Sequence, residues 1–460
     1  MALPYRTVVM SQTTAADAAA SGDAASDTDT YDARNIGQRE TVAVVGAGIS
    51  GITAAYLLQR KFDVILFEVE PRPGGHAHTH DVATSDTGII PVDSGFIVHN
   101  EYTYPHLLRL FGELGVATQP TEMSMSVRCD GCGLEYAGAR GLRGVLAQPR
   151  RLGQPRYLRM LVEILRFHRE AKRLLVAQEG DAGSLLTLRQ FLDDGGYSPY
   201  FVSHFMVPLV SAVWSAAPGM ALEYPAAYLF EFLSNHGMLS VSGSHPWRTV
   251  TGGSREYVQR ALAGLTAVQL DTGVRSVLRS GEKVQVRDET DCVWEFDRVV
   301  LATHADTALD LLADATQDEK DVLGAFTYSV NDTALHTDES VMPKAQSAQS
   351  SWNYLLSSCR ADTDKVLVTY DMNRLQQLPT AKRHLVSLNA GNRVAEDAVL
   401  ARMRYTHPIF TPESVAAQRR LAALTTSRTT FAGAYHGWGF HEDGCRSGVE
   451  AAAAFGVIWS

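Results

Sequence analysis

The chain has 460 residues, 45% of them hydrophobic, enough for a large buried core spread over two or three domains or one composite one. Its formal net charge of −10 leaves no global basic footprint of the kind that nucleic-acid binding requires. Five cysteines scattered over such a length do not resemble the disulfide framework of a small secreted domain, so a reducing, cytoplasmic setting is the expectation.

Residues 1–38 are rich in Ala, Ser, Thr and Asp and nearly devoid of large apolar side chains, which predicts a disordered tail. The tail has neither the apolar core of a secretory signal nor the basic character of a mitochondrial presequence, and no apolar run approaches a membrane span. The ordered chain opens with "TVAVVGAGISGITAAYLLQR". Val42 to Val45 suit a strand buried on both faces, and Gly46, Gly48 and Gly51 supply G-x-G-x-x-G before an apolar-faced helix carrying Ser50 near its start. Gly46 permits a tight turn, Gly48 lets backbone approach a pyrophosphate, and Gly51 allows close helix–strand packing. A second apolar run, "DVILFE", ends at Glu68, where an acid can bind ribose hydroxyls. Strand, glycines, helix, strand and terminal acid in that order form a specific dinucleotide-binding signature.

The next stretch, "PRPGGHAHTHDV", places His76, His78 and His80 at period two, which on an extended chain could face a metal. The glycine pair before them belongs to the dinucleotide signature, so no metal site is expected there. The "CDGC" pair, Cys129 and Cys132, has no second pair at zinc-ribbon spacing and reads as a turn with two ordinary thiols. Residues 140–175 carry many Arg and few acids. Leu158, Leu161, Leu165 and Leu175 there have helical spacing, so this stretch is a candidate for peripheral contact with an anionic bilayer, against the blander reading of a solvated helix face. The middle of the chain, including "YFVSHFMVPLVSAVW", is apolar and aromatic. It suits core helices, and an acyl chain better than a polar metabolite.

Later segments repeat the pattern. "VQLDTGVRSVLRSGEKVQVRD" alternates as paired strands do, and Val299 to Ala302 form a buried strand with a helix beginning after Thr303. Thr430 to Ala432 read as a last strand, Gly433 as its turn, and Ser447 onward as a helix of small residues whose N-terminus can face a cofactor.

The motif "EVEPRPGGHAHTHD" resembles the E-x-x-x-R-x-G-G stretch of flavoproteins of the amine oxidase and phytoene desaturase superfamily. "GFIVHNEYTYPHLLRLFGELGV", "SAVWSAAP", "LFEFLSNHGML" and "GAYHGWGFHEDG" are similar to a subgroup of bacterial NAD/FAD-binding proteins in it, found with cyclopropane-fatty-acid-synthase-like methyltransferases. The resemblance implies an FAD cofactor. By it, Glu68 would bind the adenosine ribose, and Arg72 would lie beside the phosphates or ribose. Gly74 and Gly75 would pass close to the flavin, and His76 stands where relatives often have Arg. Val274 would offer backbone contacts near the adenine, and Gly433, Glu442 and Asp443 would lie in the last strand–loop–helix around the pyrophosphate and ribityl chain. His436, Trp438 and His441 are pocket candidates there, with no residue selected as the catalytic base.

The expected fold class is α/β, a discontinuous Rossmann-like FAD-binding domain (39–100, 245–312, 425–460) with an inserted mixed α+β substrate domain (101–244, 313–424). A single dinucleotide motif means that electrons enter from the organic substrate rather than from a pyridine nucleotide. The expected activity is FAD-dependent dehydrogenation of an apolar, fatty acyl or lipid substrate at the inner face of the membrane, beside a lipid methyltransferase. The alternatives are a flavin amine oxidase, or a redox-neutral isomerase or FAD-binding protein without net turnover.

Overall fold

The computed structural model describes residues 30–32, 39–138, 141–177, 186–240, 245–360 and 365–459. It divides into two compact units, the first formed by Met1–Gly75, Tyr257–Gly324 and Arg420–Ser460, the second by His76–Glu256 and Ala325–Arg419.

The first unit is built on a five-stranded parallel sheet in the order Ala267–Gln269, Asp63–Phe67, Thr41–Val45, Arg298–Leu301, Thr429–Phe431. Numbered along the unit, that is 3-2-1-4-5, the arrangement in which a ligand sits beyond the carboxyl ends at the switch between strands 1 and 4. Thr41–Val45 and Asp63–Phe67 are buried at every position, which is why they read as continuous apolar runs rather than alternating ones. The alternating stretch after residue 270 does form a hairpin, Val274–Ser280 against Lys283–Asp288, in a second sheet of four strands. Thr30–Asp32, inside the expected tail, adds to that sheet's edge by pairing parallel with Val293–Glu295. Backbone pairing needs no apolar side chains, so a polar composition does not prevent it. The remainder of the expected tail lies outside the described residues.

The second unit carries a seven-stranded sheet in the order Val399–Ile409, Thr327–His336, Leu385–Leu388, Val368–Asp371, Trp352–Leu356, Met125–Cys129, Leu134–Gly138. Every pairing in it is antiparallel except Trp352–Leu356 with Met125–Cys129. Around it lie the helices Pro155–Ala177, Leu188–Asp194, Val207–Trp214 and Ala226–Asn235. The aromatic run of the middle region is core: Phe167, Phe201 and Phe230 are fully buried, and Phe167 meets the other two at 6.0 and 5.3 Å between ring centres.

The units divide at other residues than the expected domains. Residues 76–100 and 245–256 go with the second unit, because the buried Asp93 carboxylate accepts hydrogen bonds from Ser254 and Gln376 and the Asn100–Trp247 pair joins two strands. Residues 313–324 go with the first, because Arg279 reaches both Asp314 and Glu319.

Candidate functional site: a dinucleotide cradle

Gly46 follows the first strand with φ +101, and a Cβ there would lie 2.8 Å from the carbonyl oxygen of Ala302. Gly51 sits even closer to its surroundings, since a Cβ would fall 1.9 Å from the Gly46 oxygen. These two glycines are required by the fold itself. Gly48 is different. Its φ of −73 suits any residue, and nothing lies within 4 Å of a Cβ built on it, so the space beside it is open. It caps the helix Ile49–Leu58 without a side-chain hydrogen bond, leaving first-turn N–H groups for an anion.

Glu68 stands at the end of the second strand, its carboxylate accepting from the Ala47 N–H at 2.7 Å and the Glu70 N–H at 3.0 Å. The glycine pair returns to the same loop: Gly74 N–H donates to the Ala47 carbonyl at 2.7 Å, and a Cβ on Gly75 would come 3.2 Å from the Gly48 Cα. Arg72 donates to the Gly75 carbonyl, which stiffens that turn. Thr272 N–H donates to the Glu68 carbonyl at 2.9 Å, so the half-buried Val274, two residues on, starts its strand beside the same acid.

The C-terminal segment closes onto the first helix. Gly433 N–H donates to Ser447 Oγ, and a Cβ on Gly448 would lie 2.4 Å from the carbonyl of the buried Ser50, so the two helices touch through small residues. The last helix spans His441–Ala454, starting six residues before the expected Ser447. The expectation was set by small residues; the actual start is set by Phe440, whose N–H donates to the Asp443 carboxylate at 3.0 Å. Glu442 and Asp443 are thereby in its first turn, where the helix dipole favours acids. Burial nevertheless raises the Asp443 carboxyl to about 6. His436 is pushed down to about 3 by burial and by the Arg446 charge, and its buried Nε2 has no hydrogen-bond partner. His441 Nε2 shares a hydrogen bond with Tyr257 OH at 2.9 Å, and Trp438 is half-buried in the loop before it.

Open space over Gly48, a free helix N-terminus, an acid at the second strand and an orphaned buried imidazole nitrogen together fit FAD. Gly46, Gly48, Ser50, Gly51, Glu68, Arg72, Gly74, Gly75 and Val274 lie in the first unit, as do Gly433, Glu442 and Asp443.

His76, the residue after the glycine pair, begins the second unit. There its ring packs 5.0 Å from Tyr405 and 5.1 Å from His407. His78 Nδ1 shares a hydrogen bond with Tyr405 OH at 3.0 Å, Tyr405 OH with Ser94 Oγ at 2.7 Å, and Ser94 Oγ with His80 Nε2 at 2.8 Å. His78 and His80 are thus joined to a hydroxyl chain while His76 packs against its tyrosine ring, and among the described residues the three histidines do not converge as a ligand set. Sequence spacing missed Ser94, which follows the strand paired with that of His80, and Tyr405 and His407, which come from the distant strand Val399–Ile409 and carry no local signature.

No curated protein matches the sequence significantly. Among solved structures, cyclohexylamine oxidase from Brevibacterium oxydans IH-35A superposes with a TM-score of 0.66 at 17% identity, over 91% of this chain and 98% of that one. A fatty acid isomerase from P. acnes that produces CLA superposes at 0.65 and 15% identity, over 92% of this chain and all of that one (100%). Putrescine oxidase bound to putrescine gives 0.63 at 16% identity, over 92% and 99%. At such identities the likeness concerns the fold. The family model for flavin containing amine oxidoreductase matches residues 49–455, from the first glycine-loop helix to the end of the last one, and the chain therefore belongs to that family of FAD-dependent oxidoreductases.

Proposed function

We propose that this flavoenzyme dehydrogenates an apolar, acyl-type substrate that it takes from a lipid surface. The observation that carries this reading is the helix Pro155–Ala177. Its buried face is Tyr157, Met160, Glu163, Phe167 and Ala171. Leu158, Val162 and Leu165 instead form a stripe on the outside, 43, 65 and 57% exposed, in a segment that also leaves Leu142, Leu152 and Val176 exposed. Exposed Arg159, Arg169 and Arg173 border the stripe. An apolar stripe edged by guanidinium groups suits the boundary of an anionic bilayer. Among the described residues no helix is long and apolar enough to cross a membrane, so the contact would be peripheral.

Bound FAD supplies a two-electron acceptor at its ring for a hydride from a substrate C–H bond. The proton from the adjacent carbon then needs a base. Within the second unit, the chain His78–Tyr405–Ser94–His80 holds imidazole and hydroxyl groups in continuous hydrogen-bond contact, along which a proton can move. The fold is shared with a fatty acid isomerase, which accords with an acyl substrate, and equally with oxidases of cyclohexylamine and putrescine, which favours the second reading, amine oxidation. A lipid methyltransferase is the partner proposed on the acyl reading.

Anaerobic mixing of the FAD-loaded protein with acyl-lipid vesicles and, separately, with simple alkylamines tests the proposal. Stoichiometric bleaching of the flavin by lipid is the expected result. Bleaching by amines alone contradicts it, and product formed without bleaching points to isomerisation.

A further inference from the structure

The second unit brings together four ligating side chains that no sequence motif joins. Cys129 ends a strand, Cys132 lies in the turn to the next, His204 is 72 residues further along the chain from Cys132, and Cys359 is 230 from Cys129. One ligand atom from each lies within 4.8 Å of all the others. Cys129 Sγ is 3.9 Å from Cys359 Sγ, and Cys132 Sγ is 3.5 Å from His204 Nε2. A tetrahedral zinc, with Zn–S of about 2.3 Å and Zn–N of about 2.0 Å, requires S···S edges of about 3.8 Å and S···N edges of about 3.5 Å. The sulfur separation is far outside the roughly 2.05 Å of a disulfide.

The surroundings are arranged as such a site needs. The His204 ring is oriented from behind, its Nδ1 lying 2.8 Å from Ser203 Oγ and 3.2 Å from the Tyr200 carbonyl, which leaves Nε2 to present a lone pair. His204 stands on a π-turn, Val202–Met206, an irregularity that often marks a functional position. Gly131 has no room for a side chain, since a Cβ would lie 2.9 Å from the Cys359 nitrogen, so the hairpin tip and the Cys359 segment meet backbone to backbone. Arg151, only 5% exposed, donates to the Cys132 carbonyl at 2.7 Å, and Arg156 lies over the Tyr200 ring, itself stacked 4.1 Å from His204. Three thiolates around a divalent ion leave a net negative charge, which these guanidinium groups offset.

We infer that Cys129, Cys132, His204 and Cys359 form a structural zinc site that ties the Cys129–Cys132 hairpin tip to the His204 helix and the Cys359 segment. Thiolate and imidazole donors select zinc over hard cations, and four protein ligands leave no open coordination position for catalysis. On this inference, the partner ligands that "CDGC" lacks in the sequence lie on separate elements. Cys129 and His204 are fully buried, whereas Cys359 is exposed and can be replaced with little risk to the core.

The test uses the full chain, purified under reducing conditions, loaded with zinc and dialysed against a weak chelator before metal analysis. One zinc per chain is expected, and cobalt loading should give intense d–d bands of tetrahedral thiolate coordination to the red of the flavin absorption. Cys359→Ser, with an unchanged circular dichroism spectrum, should bind zinc more weakly by a factor beyond the about 10- to 100-fold typical of losing a hydrogen bond to a ligand. The inference is overturned if the wild-type chain retains no stoichiometric metal, or if Cys359→Ser holds zinc as tightly. Isolation of a metal-free protein with a disulfide among these cysteines overturns it equally.

Discussion

In the first unit, the groups that build the cofactor cradle come from three short stretches, residues 46–75, 272–274 and 433–448, each organised by backbone hydrogen bonds and close glycine contacts. In the second, the clusters are assembled singly: Tyr405 reaches His78 across 327 positions, and Cys359 reaches Cys129 across 230. The first kind of site is held by main chain and tolerates side-chain change wherever no atom is near. The second is assembled from side chains on separate elements, so it depends on the packing and protonation of the unit around it.

Protonation gives the largest expected difference between the two. Burial pushes His99, His168, His236 and His336 of the second unit down to about 4, and His436 of the first to about 3. The unfolded chain takes up these protons near about 6.5. The stability from keeping the rings neutral is therefore complete above about 6.5 and is lost as pH falls toward 4. Asp93 and Asp443, raised by burial to about 6, work in the opposite sense, favouring the fold below about 4 and losing that contribution as pH rises to 6. Five rings outweigh two carboxylates, so acidification from 6.5 to 4 should lower the urea midpoint. Hydrogen exchange should show protection lost first in the second unit. Equal loss in both units would break the comparison. His99 sharpens it further: neither ring nitrogen of this fully buried residue has a hydrogen-bond partner. Replacing it by Phe removes that desolvation penalty and should stabilise the chain by about 1 kcal/mol at pH 7, and more at pH 5. A lower melting temperature for His99→Phe would show that the ring is held by something other than packing.

A smaller effect is expected at the surface of the second unit. Leu158→Ser, Val162→Ser and Leu165→Ser together remove exposed apolar area, so they should leave folding stability within about 0.5 kcal/mol while reducing sedimentation with anionic liposomes. The arginines suited to a companion charge reversal are Arg150, Arg169 and Arg173. Arg151 is excluded because it is buried on the Cys132 carbonyl, and Arg156 and Arg159 are engaged with Tyr200 and Glu163. Undiminished liposome binding by the triple serine variant removes the support for a lipid surface.

The contrast also explains what was legible in the sequence. Gly46, Gly48, Gly51 and Glu68 announce themselves because one turn and one strand end determine their positions, and the paired strands after residue 270 follow from simple alternation. The last helix was placed late because its start depends on an acid bonding back to Phe440, while the composition changes only further on. The long basic helix carries apolar residues on two faces, and periodicity alone does not say which of them is buried; burial of Tyr157 and Phe167 against neighbouring aromatics decides it. His204 and Cys359 could not be paired with "CDGC" at all, since Cys359 follows a strand that lies beside Met125–Cys129 only in the folded sheet and His204 comes from a separate helical turn.

The central claim is that the glycine loop holds FAD, and Gly48 isolates it. Gly51→Val is unsuitable, because its side chain would collide with the Gly46 carbonyl and damage the fold. The Cβ of Gly48→Val has no protein atom within 4 Å and the backbone there is extended with negative φ, so the variant should fold with an unchanged far-ultraviolet spectrum. The measurement is the flavin absorbance of that purified variant relative to its protein concentration. The account expects a folded, colourless protein, and a folded Gly48→Val protein carrying a full complement of FAD would contradict it.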